Sequence, residues 1–260
     1  MSDLNHRAKA PRILVMGASS GIGQELVRQL SARGAHVVAC ARRVERIGDM
    51  DNVVAHGCDL RDAEQCATAV ARATEVMSGL DVLVYSAGLS RITPLDSAGY
   101  DEWTEVFATN LFGAAMVTRA AIPHLCDAAS EGRALFLTST SADLAFPGLV
   151  AYSASKAGLS RFCQGLSVEF PSLRVSEVVV GPTAGTGVAD NFEPAAFEKW
   201  ATRWFEEGFV RHGMQQPADV AGLIVDAIFD DAPPARLDVA GPSESGATSL
   251  AEGRLQAGRR

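Results

Sequence analysis

Short apolar runs without in/out alternation recur along this chain, and helical stretches separate most of them. The runs lie at 12–16 (RILVM), 35–41 (AHVVACA), 53–58 (VVAHGC), 81–85 (DVLVY), 134–138 (ALFLT), 175–180 (VSEVVV) and 236–240 (RLDVA). A strand that is apolar on both faces has to be covered on both, and right-handed βαβ crossovers achieve this with a parallel sheet. The expected fold is therefore α/β: a single-domain Rossmann arrangement with a doubly wound, seven-stranded parallel sheet and six helical stretches around it. In such a sheet a ligand belongs at the C-terminal edge of the strands.

The chain has 260 residues, 47% of them hydrophobic, which suffices for one such domain with a sizeable core. Residues 11–245 are assigned to it, with 1–10 as an N-terminal arm and 246–260 as a C-terminal tail. The segment 185–216 does not fit the alternation and carries Phe192, Phe197, Trp200, Trp204, Phe205 and Phe209. It reads as a substrate lid over a bulky apolar molecule, with plain packing of amphipathic helices as an equal alternative. The 31 acidic and 23 basic residues leave a formal charge of -8, which argues against nucleic acid as a partner. Cys40, Cys58, Cys66, Cys126 and Cys163 are odd in number and lack CxxC pairing, so buried thiols in a reducing compartment are expected, with no metal site. No apolar leader opens the chain and no uninterrupted apolar run reaches spanning length. The expectation is a cytoplasmic protein without a membrane segment.

The first strand runs into Met16-Gly17-Ala18-Ser19-Ser20-Gly21-Ile22-Gly23, followed by a helical pattern. Glycines at this spacing let the backbone turn sharply and approach a diphosphate at the positive end of the helix. Folds of this kind that take NAD usually carry an acid about 20 residues further on. Here Arg42 and Arg43 follow the second strand, cations suited to the 2'-phosphate of NADP(H). Tyr152 and Lys156 are four apart at the start of a helix and share a face. Bringing a phenol from about 10 to about 7 takes roughly 4 kcal/mol, which a neighbouring ammonium and a nicotinamide charge could supply. Ser139 ends the FLTS strand, but Thr138, Thr140 and Ser141 are hydroxyls too, and the residues alone leave that choice open. Asn110 is a poor helix former in an apolar helix: either its amide bonds a neighbouring backbone, or it marks a kink that holds a water.

Taken in order, MGASSGIG at 16–23, CDL at 58–60, YSAG at 85–88, TN at 109–110, Ser139 and YSASK at 152–156 resemble the short-chain dehydrogenase/reductase family over about residues 11–183. The resemblance implies that Tyr152 is the catalytic acid/base and that Lys156 binds the nicotinamide ribose and lowers the tyrosine pKa. It also implies that Ser139 polarises the substrate oxygen and that Asn110 completes a proton relay. Gly17, Ser19, Ser20, Gly21, Ile22 and Gly23 would take the diphosphate, and Arg42 and Arg43 the 2'-phosphate. Asp59 and Leu60 would lie at the adenine, Ser86, Ala87 and Gly88 along the ribose, and Pro182, Thr183 and Thr186 at the nicotinamide side. The implied reaction interconverts a carbonyl and a secondary alcohol with NADP(H), in a homodimer or homotetramer built on the helices near 103–125 and 152–169. A non-enzymatic NADP(H)-sensing protein is the rival reading, and an isomerase or dehydratase the third. The family's Asn-Asn-Ala-Gly is Tyr85-Ser86-Ala87-Gly88 here, and Met16, Ala142 and Thr183 also depart from its pattern. These changes are expected to remove polar braces behind the cofactor and to leave the proton chemistry untouched.

Overall fold

The computed structural model describes residues 10–127, 132–186, 192–210 and 213–239. Most of the expected N-terminal arm, and all of the tail, lie outside these. Seven parallel strands form one sheet in the order β3-β2-β1-β4-β5-β6-β7. They are β1 (Arg12–Met16), β2 (His36–Ala41), β3 (Val53–Gly57), β4 (Val82–Tyr85), β5 (Arg133–Leu137), β6 (Arg174–Val179) and β7 (Arg236–Asp238). The first six agree with the sequence expectation to within one residue at either end. Strict alternation with helices does not hold. β2 and β3 are joined by a 3-10 turn at Val44–Arg46, whereas α6 (Pro194–Glu206) and α7 (Pro217–Phe229) both follow β6.

Alternate side chains of the doubly apolar strands feed two cores. On one face Ile13, Val15, Val37 and Val84 pack under α1 (Gly21–Ala32) and α7, through Leu26, Leu30, Ile224 and Ile228. On the other, Leu14, Leu83 and Phe136 meet α2 (Ala63–Met77), α4 (Gly113–Leu125) and α5 (Val150–Glu169). Burying an aliphatic side chain of this size contributes about 2 kcal/mol. The two half-sheets diverge between β1 and β4, and this switch point opens the crevice where the site lies.

The long stretch expected as one helix is interrupted: α3 (Tyr100–Phe107) leads into a π-helical turn at Ala108–Phe112 before α4 begins. By length and composition Tyr100–Leu125 could cross a membrane, although no uninterrupted apolar run produces this. Its Val106, Ala114, Val117, Ala121 and Leu125 sit in the protein core.

Candidate active site

The turn after β1 is built by close backbone approach. Gly17 has φ 91°, and a Cβ there would stand 2.7 Å from the Ala87 backbone. A Cβ on Gly23 would stand 2.1 Å from the Gly17 carbonyl, so only glycine closes the turn. The Gly17 and Ala18 amides donate to the Cys40 carbonyl at 2.9 and 3.0 Å, which ties the turn to the end of β2. Ser20, at the N-cap of α1, makes no side-chain capping bond, and the first turn carries no acid. The helix thus presents uncapped N–H groups to the crevice, the arrangement an anionic diphosphate fits.

Beyond the turn, a cavity of about 800 Å³ runs along the strand ends. Every proposed site residue lines it except two. Gly21 is stacked against Thr186, whose Cα would be 2.6 Å from a Cβ there. Asn110 is fully buried behind the cavity wall. Arg42 and Arg43 are exposed at one end. Among the described residues neither is held in a salt bridge, whereas Asp59 beside them is paired with Arg61 at 2.6 Å. That pairing is the main cause that keeps the Asp59 carboxyl below its ordinary range.

At the centre, Ser139 stands two residues beyond β5 and opens a 3-10 turn at Thr140–Ala142, its Oγ accepting from the Ser141 amide at 3.2 Å. Tyr152 lies in the first turn of α5 and lines the same cavity as Ser139, whose hydroxyl favours the ionised phenol. The surrounding hydroxyls sort themselves: Thr138 Oγ1 donates to Glu177 at 3.0 Å, and Ser141 is buried. Ser139 and Thr140 both line the cavity beside Tyr152, and of the two Ser139 is the hydroxyl that favours the ionised phenol. Burial holds the Tyr152 phenol above its ordinary range, and the Ser139 hydroxyl only partly offsets this. Lys156 Nζ lies 5.8 Å from the centre of the tyrosine ring and donates to the Leu137 carbonyl at 2.7 Å. Burial draws its own pKa down to about 8.

Asn110 bonds neighbouring backbone, the first of the two readings made of it. It sits in the π-helical turn, accepting from the Leu89 amide at 2.7 Å and donating to the Leu89 carbonyl and Ser155 Oγ, each at 2.9 Å. Ser155 Oγ in turn donates to the Tyr152 carbonyl at 2.7 Å. A profile of the short chain dehydrogenases matches residues 11–196. This chain belongs to that family.

The short-chain dehydrogenase is 35% identical over 183 residues to 11-beta-hydroxysteroid dehydrogenase A of Sesamum indicum, covering 65% of this chain and 51% of that one. It thus spans about half the length of that relative. A short-chain dehydrogenase of Streptomyces avermitilis superposes with TM-score 0.79 at 29% identity, covering 96% of this chain and 94% of the other. One from Burkholderia cenocepacia, solved with NADP, superposes with TM-score 0.77 at 26% identity, covering 96% of each.

Three features of this short-chain dehydrogenase escaped the sequence. Ser155, inside the YSASK motif, links Asn110 to Tyr152, and its spacing from Tyr152 was the available signal. Glu177, a lone acid in an apolar strand, is buried and joined to Thr138 and, at 3.2 Å, to Arg236. Tyr85, expected as the loss of a polar brace, donates its hydroxyl to the Thr109 carbonyl at 2.5 Å. Cys40, Cys58, Cys66 and Cys163 are buried as expected, whereas Cys126 is half-buried, and burial pushes Cys40 and Cys163 up to about 12.

The aromatic segment both packs and lines. Trp204 Nε1 donates to the Pro147 carbonyl at 2.8 Å, and Phe146, Leu149, Trp204 and Phe209 form a buried cluster against Tyr152. Phe192, Phe197, Trp204 and Phe205 also wall the cavity. On the two helices expected at a subunit interface, Gly113 and Ala114 are buried within the subunit, whereas Ala154 and Ala157 are exposed.

Proposed function

We propose that this protein is an NADP(H)-dependent oxidoreductase that interconverts a carbonyl and a secondary alcohol, with Tyr152 as the proton donor and acceptor. The observation that carries the reading is Ser139, Tyr152 and Lys156 together on the wall of one cavity whose other end is a glycine turn with exposed arginines. The glycine turn would hold the diphosphate, Arg42 and Arg43 the 2'-phosphate, and Lys156 the nicotinamide ribose. Bound there, the nicotinamide supplies or accepts the hydride. Ser139 and Tyr152 hold the substrate oxygen between two hydroxyls. Tyr152 gives the proton to the substrate oxygen in carbonyl reduction and takes it back in alcohol oxidation. The intact Ser139, Tyr152, Lys156 and Asn110 set weighs against a non-catalytic sensor.

The substrate is an uncharged carbonyl with a large apolar body. The charged residues that line the cavity, Arg42, Arg43, Asp59 and Lys156, lie among the cofactor-binding set, and the remainder of the wall is largely Phe146, Leu149, Phe192, Trp204, Val210 and Met214. The segment 185–216 serves as the lid, pinned at its base where the Ala184 amide donates to Gln215 and the Gln215 amide to Pro182, each at 2.9 Å. The exposed Ala154 and Ala157 face of α5 suits a homo-oligomer, and the unpaired thiols suit the reducing cytoplasm.

The test follows NADPH absorbance across bulky apolar ketones and small charged oxo acids, with NADH in parallel. Turnover of the apolar ketones with NADPH is expected. Cofactor binding with no turnover on any carbonyl would favour the sensor, and equal use of NADH would overturn the NADP(H) preference.

A further inference from the structure

Tyr85 closes β4 with its side chain fully buried, at a position where the family resemblance leads one to expect asparagine. Its hydroxyl reaches past the sheet to the Thr109 carbonyl, 2.5 Å away, in the π-helical turn at Ala108–Phe112. A π-helical turn accommodates an extra residue by interrupting the regular helical ladder, which displaces carbonyls from their usual amide partners. The Tyr85 hydroxyl satisfies one of these, immediately before Asn110. Burial keeps that phenol far above its ordinary range, so it stays a neutral donor throughout the working pH range.

From Thr109 the backbone passes directly to Asn110, whose side chain begins a second run of hydrogen bonds. Asn110 grips Leu89 through both its oxygen and its nitrogen and donates to Ser155 Oγ at 2.9 Å. Ser155 Oγ donates to the Tyr152 carbonyl at 2.7 Å. The space has been made for this contact: a Cβ on Gly113 would fall 2.7 Å from the Tyr85 hydroxyl and 2.7 Å from the Leu60 carbonyl. Tyrosine at 85 and glycine at 113 therefore form a matched pair.

We infer that Tyr85 is a positioning residue of the reaction: its hydroxyl fixes the π-helical turn, and through Asn110 and Ser155 it holds the first turn of α5 so that Tyr152 faces Ser139. This rests on the oxidoreductase reading above. Tyr85 touches neither substrate nor cofactor in that reading, and it acts only through the turn and the hydrogen bonds beyond it.

Tyr85→Phe removes one oxygen and keeps the ring, whose centre packs 6.5 Å from that of Phe136. Misplacement of a reacting group by a fraction of an ångström is enough to lower kcat about tenfold. The expected result is a kcat lower by about that factor, with NADPH affinity unchanged and faster hydrogen exchange confined to the amides of 108–113. In the same assay Ser155→Ala interrupts the line one step further on, and the Tyr85→Phe/Ser155→Ala double variant should be no slower than Ser155→Ala alone. Unchanged exchange at 108–113, an unchanged kcat, additive effects, or losses spread to NADPH affinity and to exchange across the sheet would each overturn the inference. Hydrogen exchange needs no turnover, so a wild-type protein inactive on every carbonyl would defeat the oxidoreductase reading alone, and the effect of Tyr85 on the turn would still be measured.

Discussion

The two ends of the cavity are built by different means. At the glycine turn, main chain lies against main chain: Gly17 abuts Ala87 and Gly23 abuts the Gly17 carbonyl, at separations that a single Cβ would violate. At the far end Phe146, Trp204 and Phe209 pack side chain on side chain, and the cavity is the space they leave. Backbone contact tolerates no addition, whereas aromatic packing tolerates exchange at a graded cost. One end therefore commits the protein to a single ligand shape, and the other is free to change substrate.

Substitution at each end should separate the two. Gly23→Ala forces a Cβ onto the Gly17 carbonyl and is expected to abolish NADPH binding, read by fluorescence titration. Retained binding would erase the contrast. Trp204→Ala, by comparison, should lose about 4 kcal/mol of stability to denaturant and raise KM for bulky ketones while leaving NADPH affinity intact. A fall in NADPH affinity with Trp204→Ala would show the ends to be coupled.

Between them stands Lys156, where burial disfavours the ammonium and lowers its pKa to about 8 from 10.5. A folded value below the unfolded one means that the unfolded chain binds more protons between those pH values, so this group's cost is full below pH 8 and gone above 10.5. Relative to Lys156→Met, the wild-type protein should gain about 3 kcal/mol of stability across that window. Urea unfolding of both proteins at several pH values measures it, and parallel curves would disprove the burial cost. The smallest effect belongs to the exposed arginines. Arg42→Asp should shift the NADPH to NADH preference by about tenfold, with little change in stability.

The same contrast governs what could be read from the sequence. Gly17, Gly21 and Gly23 were legible because a glycine requirement is local, and Ser139, Tyr152 and Lys156 because their order along the chain carries the family pattern. The aromatic segment was ambiguous for a physical reason: Trp204 packs on Pro147 and lines the cavity with the same ring, so spacing alone could not separate the two roles. The burial of the Tyr152 phenol and the turn of Lys156 toward Leu137 were not legible, because both depend on tertiary packing. Tyr85 was read as a missing amide, although a phenol reaches further than an asparagine and finds a different acceptor, Thr109. Pattern comparison records that a side chain is lost more readily than it records where the replacement reaches.

The central claim is that Tyr152 moves the proton. Replacing it with phenylalanine keeps the ring against Phe146, Leu149 and Trp204 and removes only the hydroxyl facing Ser139. Steady-state consumption of NADPH with a bulky ketone by Tyr152→Phe, beside a titration of its NADPH affinity, is the most direct measurement. The account predicts turnover reduced at least about a hundredfold with cofactor affinity unchanged; near-native turnover in the variant with cofactor bound would contradict it.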